Sequence, residues 1–157
     1  MTHSFPHSYD LHTTPLGGRS DNLGGIGLGG QAKVLIVDDD PSHLEIYALL
    51  IQQAGLEPVT ALVHFLGLDL PHEEQIGLVL LDYKLHSLKT SADIAQDLRA
   101  RYPSTPIVLL SDMWSLPADI EPYVTEFVRK GQPAKLLETV CRLVPCQARR
   151  MAGHPHA

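Results

Sequence analysis

Three continuous apolar runs stand out along the chain: Val34–Val37, Leu78–Leu81 and Ile107–Leu110. Each is too short for a buried helix and is bounded by polar or turn-forming residues, as expected of strands covered on both faces. Between the runs the apolar positions change period. Leu44, Tyr47, Ala48 and Ile51 recur at helical spacing. They follow Asp40-Pro41, which offers an N-cap and then a proline at the first helical position. Gly55 stops that helix. Ser91–Tyr102 reads as a second helix, with Ile94 and Leu98 inward and Pro103 behind it. Pro133 opens a last helix that carries Leu136, Val140 and Leu143 on one face. Three segments signal more weakly: Pro58–Ala61 as a strand, Leu62–Leu68 as a short helix, and Val124–Val128 as a strand ending near Lys130. Asp112–Tyr123 holds Pro117 and Pro122, and an interior proline costs a helix ~3 kcal/mol. A helix there is expected to be short or absent.

Strands alternating with helices predict an α/β fold, a doubly wound five-stranded parallel sheet with helices on both faces. In such sheets the ligand site lies at the carboxyl ends of the strands. Four strands end at that edge in Asp38-Asp39, Asp82, Ser111 and Lys130. These polar residues are scattered in sequence, yet the topology brings them to one rim.

Several carboxylates on one rim need a counter-charge, because repulsion and desolvation would otherwise neutralise them. A hard divalent cation such as Mg2+ supplies it, using one or two carboxylates plus waters and phosphate oxygens. A lysine ammonium and a serine hydroxyl on the same rim suit phosphoryl oxygens. A carboxylate can act as nucleophile and form an acyl phosphate. The set reads as a receiver for a phosphoryl group on one aspartate. Asp40 is set apart as the N-cap.

Composition narrows the classes. Of the 157 residues 44% are hydrophobic, enough for one real core, and the net charge is −6. That balance argues against nucleic-acid binding, which needs a basic face. No apolar run approaches the roughly 18 residues of a membrane span. MTHSFPHSYD at the start lacks the pattern of a secretory signal, so a cytoplasmic location is expected. Cys141 and Cys146, spaced C-x4-C, fit neither a zinc pair nor a redox motif and are expected as unpaired thiols. Residues 1–32 hold seven of the twelve glycines and read as a disordered extension. Within them GIGLGG, residues 25–30, formally matches a dinucleotide fingerprint, but it precedes a strand instead of following one. Residues 146–157 read as a flexible tail. Nothing pre-organises His3, His7, His12, His154 or His156 into a metal site.

With those residues in place, residues 33–145 resemble a response-regulator receiver domain of two-component signalling, of the stand-alone single-domain type. The resemblance rests on VDDD at 37–40, LVLLD at 78–82, VLLS at 108–111 and FVRK at 127–130. Each motif is weak alone; their order and spacing are specific. The resemblance implies flavodoxin-like strand order 2-1-3-4-5 and a phosphoacceptor role for Asp82. It implies that Asp38, Asp39, Asp82 and the Lys84 backbone carbonyl hold Mg2+, and that Ser111 and Lys130 hold phosphoryl oxygens. Ser111 and Phe127 fall where the family keeps its switch residues. The phosphodonor would be a sensor histidine kinase or a histidine phosphotransfer protein, and the output an unknown downstream protein. The chain would take part in its own phosphorylation and dephosphorylation without being a dedicated enzyme.

The chain departs from the family pattern in places. His86 stands where proline is usual, and Thr90 where glycine is usual, so the loop after Asp82 is expected on a different path. Gly131 replaces the cis proline after the lysine. A cis bond there would cost ~2.5–4 kcal/mol, so a trans bond and a shifted Lys130 approach are expected. Lys84 and Met113 occupy positions that tune phosphoryl lifetime in the family. Trp114 is either packed locally or an exposed partner anchor. Two other functions compete: a receiver-like interaction module that works without phosphorylation, and a phosphatase of the haloacid-dehalogenase type. The second lacks an acidic motif well beyond Lys130, where only Glu138 lies.

Overall fold

The computed structural model describes residues 30–146 except residue 74. Strand β1 (Lys33–Asp38), helix α1 (Pro41–Gln53), β2 (Glu57–His64), β3 (Gly67–Leu68) and β4 (Ile76–Asp82) form its first half. Helix α2 (Ser91–Arg101), β5 (Ile107–Ser111), β6 (Glu126–Arg129) and α3 (Pro133–Leu143) form its second. A single 3-10 turn, Glu121–Tyr123, lies between β5 and β6. The sheet order is β3-β2-β1-β4-β5-β6. All neighbours are parallel except β2 and β3. The five parallel strands thus have the expected order, and a sixth, antiparallel strand is added at one edge.

That sixth strand corrects the reading of Leu62–Leu68 as a helix. Strand β2 is longer than Pro58–Ala61 and runs on through Val63, which is buried. The chain then reverses at Phe65-Leu66, and His64 pairs with Gly67. Gly67 has φ +141, a backbone region that disfavours a Cβ. Alternation decides the outcome: Val59, Ala61 and Val63 face one core while Thr60 and His64 are exposed, a period of two that a short helix cannot satisfy. The two-residue edge strand leaves little unpaired backbone to template another chain.

Two cores flank the sheet. Leu35, Val37, Val79, Leu81 and Leu109 pack with Ile94, Ala95 and Leu98 of α2. Val34, Ile36, Leu78, Leu80 and Val108 pack with Leu44 and Ile51 of α1 and Leu136 and Val140 of α3. Ile120, from the proline-broken segment, fills the α2 side. It thereby does the covering that a full helix before β6 would do.

Local choices agree with these elements. The Asp40 side chain accepts from the Ser42 N–H at the start of α1, as expected of an N-cap. Thr90 caps α2 in a reciprocal box with Asp93. Ser91 donates to the Tyr83 carbonyl and so ties α2 to the loop after β4.

The cysteines differ from expectation. Cys141 and Cys146 form a disulfide, with Cα atoms 5.1 Å apart. Helix α3 ends at Leu143, and the chain folds back far enough for Cys146 to meet the last turn. Cys146, the first residue of the expected tail, is thus bonded to α3, and residues 147–157 lie outside the described residues. So do residues 1–29. Of the expected extension, Ala32 belongs to the domain: its carbonyl accepts from the Glu57 N–H, and its side chain packs on the α1/α3 core.

Candidate functional site

Strand β1 ends in Asp38, whose side chain is almost fully buried. Its Oδ1 accepts from the Asp40 N–H at 2.9 Å, which ties the carboxylate to the helix cap. Its Oδ2 lies 3.2 Å from His43 Nδ1, one turn into α1. Burial pushes the Asp38 carboxyl above its ordinary value. The Asp82 charge adds to that rise, while the Asp40 amide, His43 and Lys130 oppose it.

Asp82 ends the neighbouring strand β4 and is equally buried. Lys130 Nζ stands 2.8 Å from its Oδ1 as an ion pair. The approach is close but not along a hydrogen-bond direction, and that buried oxygen has no hydrogen-bond donor. Burial works against the Lys130 ammonium, yet Asp82, with Asp38 behind it, raises its pKa. The Lys130–Gly131 bond is trans, and Gly131 has φ 77. That left-handed turn replaces a proline turn and still delivers Lys130 onto Asp82, so the expected shift in its approach is not seen at this contact.

Asp39 points elsewhere. Its Oδ2 accepts from the His86 N–H at 3.1 Å and lies 2.5 Å from His86 Nδ1. Burial pushes the Asp39 carboxyl up, but the two His86 contacts outweigh it and hold the pKa below the ordinary value. The loop after β4 thus closes back over β1 by way of His86. Lys84 lies on the same loop, and its ammonium is 3.9 Å from Asp112. Asp39, Asp82, Lys84, His86, Asp112 and Lys130 line one open cleft at this rim.

Ser111 ends β5 and is buried. Its Oγ accepts from the Met113 N–H, and its carbonyl accepts from the Lys130 N–H. It is adjacent to the cleft without lining it. Phe127 pairs with Leu109 across β5 and β6 and packs, half-buried, on the α2 side of the sheet. Trp114 is 85% exposed, and the Arg129 guanidinium stacks 3.6 Å from its ring centroid. It is neither buried in local packing nor free of contact, since it sits on the residue beside Lys130.

The structure therefore brings Asp38, Asp82 and Lys130 into direct contact range, with Asp39 and Lys84 on the same rim. Ser111 ends the strand next to that of Asp82, and Phe127 sits on β6, three residues before Lys130. Sequence reasoning passed over His43 and took His86 only as a departure. The signal for His43 was its place three residues after the N-cap, because helical side chains lean back toward the N-terminus.

A divalent cation fits this donor set. Two buried carboxylates, Asp38 and Asp82, share one ammonium, and a third, Asp39, lies on the same rim.

Comparison with known proteins bears on the family and the fold. The family described as response regulator receiver domain matches residues 34–140. Transcriptional regulatory protein GlrR of Escherichia coli K12 is 28% identical over 86 residues, 55% of this chain and 19% of that protein. QseF of Escherichia coli O157:H7 matches to the same extent. This chain thus spans about a fifth of the length of the curated relatives it matches. Chemotaxis response regulator CheY4 of Vibrio cholerae is similar in structure, with TM-score 0.60 and 23% identity over 73% of this chain and 100% of that one. Response regulator TrrA of Thermotoga maritima, solved in complex with Mg2+ and BeF, gives TM-score 0.58 and 21% identity at the same coverage. With a family match over residues 34–140, more than half of its length, the chain belongs to the response regulator receiver domain family.

Proposed function

We propose that the chain accepts a phosphoryl group on Asp82 from a phosphohistidine of a sensor kinase or a histidine phosphotransfer protein. Receiver domains of this family take part in two-component signalling. The observation that carries the residue assignment is the contact of Lys130 with Asp82 beside buried Asp38. The Asp82 carboxylate attacks phosphorus, the P–N bond to the donor imidazole breaks, and its electron pair leaves on the imidazole. The product is an acyl phosphate on Asp82. Lys130 then exchanges its contact with Asp82 for one with a phosphoryl oxygen, and the Ser111 hydroxyl, whose hydrogen is free, donates to another. A divalent cation, Mg2+ in this reading, neutralises the carboxylates and the incoming oxygens when bound. Asp38 and Asp82 would hold it, with Asp39 and the Lys84 carbonyl in reach.

The signal leaves through β5 and β6. Movement of Ser111 toward the phosphoryl group pulls on Met113, whose N–H it accepts, and on Trp114 beyond. Phe127 and the Arg129–Trp114 stack lie on the same two strands. A downstream protein is the reader; nucleic acid is not, since the net charge is −6. We place the receiver at residues 33–145 and the protein in the cytoplasm; no helix among the described residues is long and apolar enough to cross a membrane.

A phosphorylation-independent interaction module is the second reading. It is favoured by Asp39 being held by His86 and by the missing helix between β5 and β6. One experiment separates the two. The chain is incubated with Mg2+ and a small-molecule phosphodonor, and its mass is measured before and after hydroxylamine. A hydroxylamine-labile phosphoryl increment, absent from Asp82→Ala, is expected. No increment in the wild type, or one that survives in the variant, favours the module.

A further inference from the structure

A cavity of about 430 Å3 opens between α1 and α3, beside the cleft that holds Asp82. Its walls are apolar: Ile46, Leu49 and Leu50 of α1, Leu136 of α3, and Leu110 and Val128 of the sheet. It passes between two helices down to the strands, and its size is that of a small-molecule site. Ile46 and Leu49 are exposed at its mouth.

The charged lining has one sign. His43, Arg129 and Lys130 line the cavity and no carboxylate does, in a chain of 18 acidic and 12 basic residues. Gly131, Gln132 and Pro133 continue the lining to the start of α3. There Gln132 makes no side-chain cap, and the first turn holds no acidic residue. The Ala134 and Lys135 N–H groups therefore keep the positive partial charge of a helix N-terminus. Tyr47 lines the cavity as well. Burial raises its phenol pKa, Lys130 opposes that rise, and Asp38 and Asp82 add to it, so its ring stands between the cavity and the rim.

We propose that this cavity binds a small anionic amphiphile, an apolar body carrying one carboxylate. The body lies along α1 against Leu50 and Leu136, and the carboxylate meets the N-terminus of α3 beside Lys130. Charge complementarity chooses this occupant: a neutral apolar molecule leaves the positive end unanswered, and a cation is repelled by it. Lys130 Nζ is 2.8 Å from Asp82, so the bound carboxylate lies one side chain from the proposed phosphoacceptor. Binding itself does not depend on phosphoryl transfer.

The test uses the full chain without metal or phosphodonor, so failure of phosphoryl transfer leaves it unaffected. Decanoate, decanol and decylammonium, one apolar body with three head groups, are titrated below their aggregation limits and followed by amide NMR. Saturable shifts are expected at residues 46–53 and 128–136, with decanoate binding about tenfold more tightly than decanol, and decylammonium most weakly. Gln132→Asp supplies α3 with an acidic cap at an exposed position, so the variant should melt no lower than the wild type. It is expected to weaken decanoate by about tenfold and to leave decanol unchanged. Leu49→Glu, also at an exposed position, should weaken decanoate at least as much. Equal affinity for the three head groups, shifts confined to other surfaces, or no saturable binding would overturn the proposal. So would a dimer in sedimentation that Leu49→Glu dissociates, because the groove would then be an interface between two copies of the chain.

Discussion

Lys130 Nζ stands 2.8 Å from Asp82 Oδ1, and the two side chains keep 15% and 3% of their surface. One ammonium thus compensates two buried carboxylates, since Asp38 also raises its pKa. The arrangement is asymmetric. Removing the lysine leaves Asp38 and Asp82 facing each other without a cation, whereas removing one carboxylate leaves Lys130 the other. Lys130→Met is expected to destabilise the chain by about 3 kcal/mol at neutral pH, and Asp82→Asn to be close to neutral. Urea denaturation in chelator checks both. The folded-state pKa of Lys130 is raised above 10.5, so its contribution is full below that value and lost as pH rises through the folded one. The wild type and Lys130→Met should converge at strongly alkaline pH. A constant gap would mean that the lysine acts through packing instead.

Asp38 works in the opposite direction. Its folded-state pKa lies above 3.8, so the folded chain holds a proton there that the unfolded chain has released. Stability therefore falls as pH rises from about 3.8 through the folded value. Asp38→Asn keeps an oxygen for the Asp40 N–H and removes the charge. In chelator it should be more stable than the wild type by about 1 kcal/mol at pH 7, with the gap closing in acid. A divalent cation should invert the order, because it stabilises only the folded chain that binds it, by about 2.7 kcal/mol at a hundred times Kd. Denaturation curves across pH, with and without cation, measure both effects.

His86 holds Asp39 through a backbone N–H and a ring nitrogen. His86→Ala keeps the first contact and deletes the second. The Asp39 titration midpoint should move up toward the ordinary carboxylate value, read by carboxyl-carbon NMR. The depressed pKa contributes stability above the unfolded value and loses it as pH falls through the folded one. Because the His86 ring is 91% exposed, solvent screening limits the stability loss to about 0–1 kcal/mol. An unmoved midpoint would assign the whole effect to the backbone contact.

The parallel sheet was legible because its strands are continuous apolar runs, and the helices were legible from period and caps. The rim followed from topology alone, since parallel strands put their carboxyl ends together. What escaped the sequence was local. Glu57–His64 has Pro58 at its start and the apolar Leu62 between Ala61 and Val63, so its eight residues of strand read as a shorter strand and a helix. The hairpin that follows depends on Gly67 adopting φ +141, which composition does not reveal. In the site, the donor atoms of Asp39 and Asp38 diverge although the residues are adjacent, because successive side chains at the end of a strand face opposite ways. His86 and His43 are recruited by that divergence, one to each carboxylate. No spacing rule for an acidic pair predicts it.

The Cys141–Cys146 disulfide closes a short loop at the end of α3, with a sequence separation of 5. The bond constrains the unfolded chain little, so its contribution is bounded at about 2 kcal/mol by loop-closure entropy. Its local effect is larger in kind. Val144 lies between the cysteines, is buried, and packs on the α1/α3 core. Without the bond, the last turn of α3 and Val144 are held by packing and by the Val144 N–H to the Val140 carbonyl. Whether the bond persists depends on the redox state of its surroundings, so the reduced form is compared with the oxidised chain. Reductant, or the double change Cys141→Ser with Cys146→Ser, should speed amide exchange at residues 140–146 while leaving β1, β4 and β5 protected. Unchanged exchange at the end of α3 would show that packing alone fixes this turn. Loss of protection in the central strands would show instead that the bond supports the whole α1/α3 face.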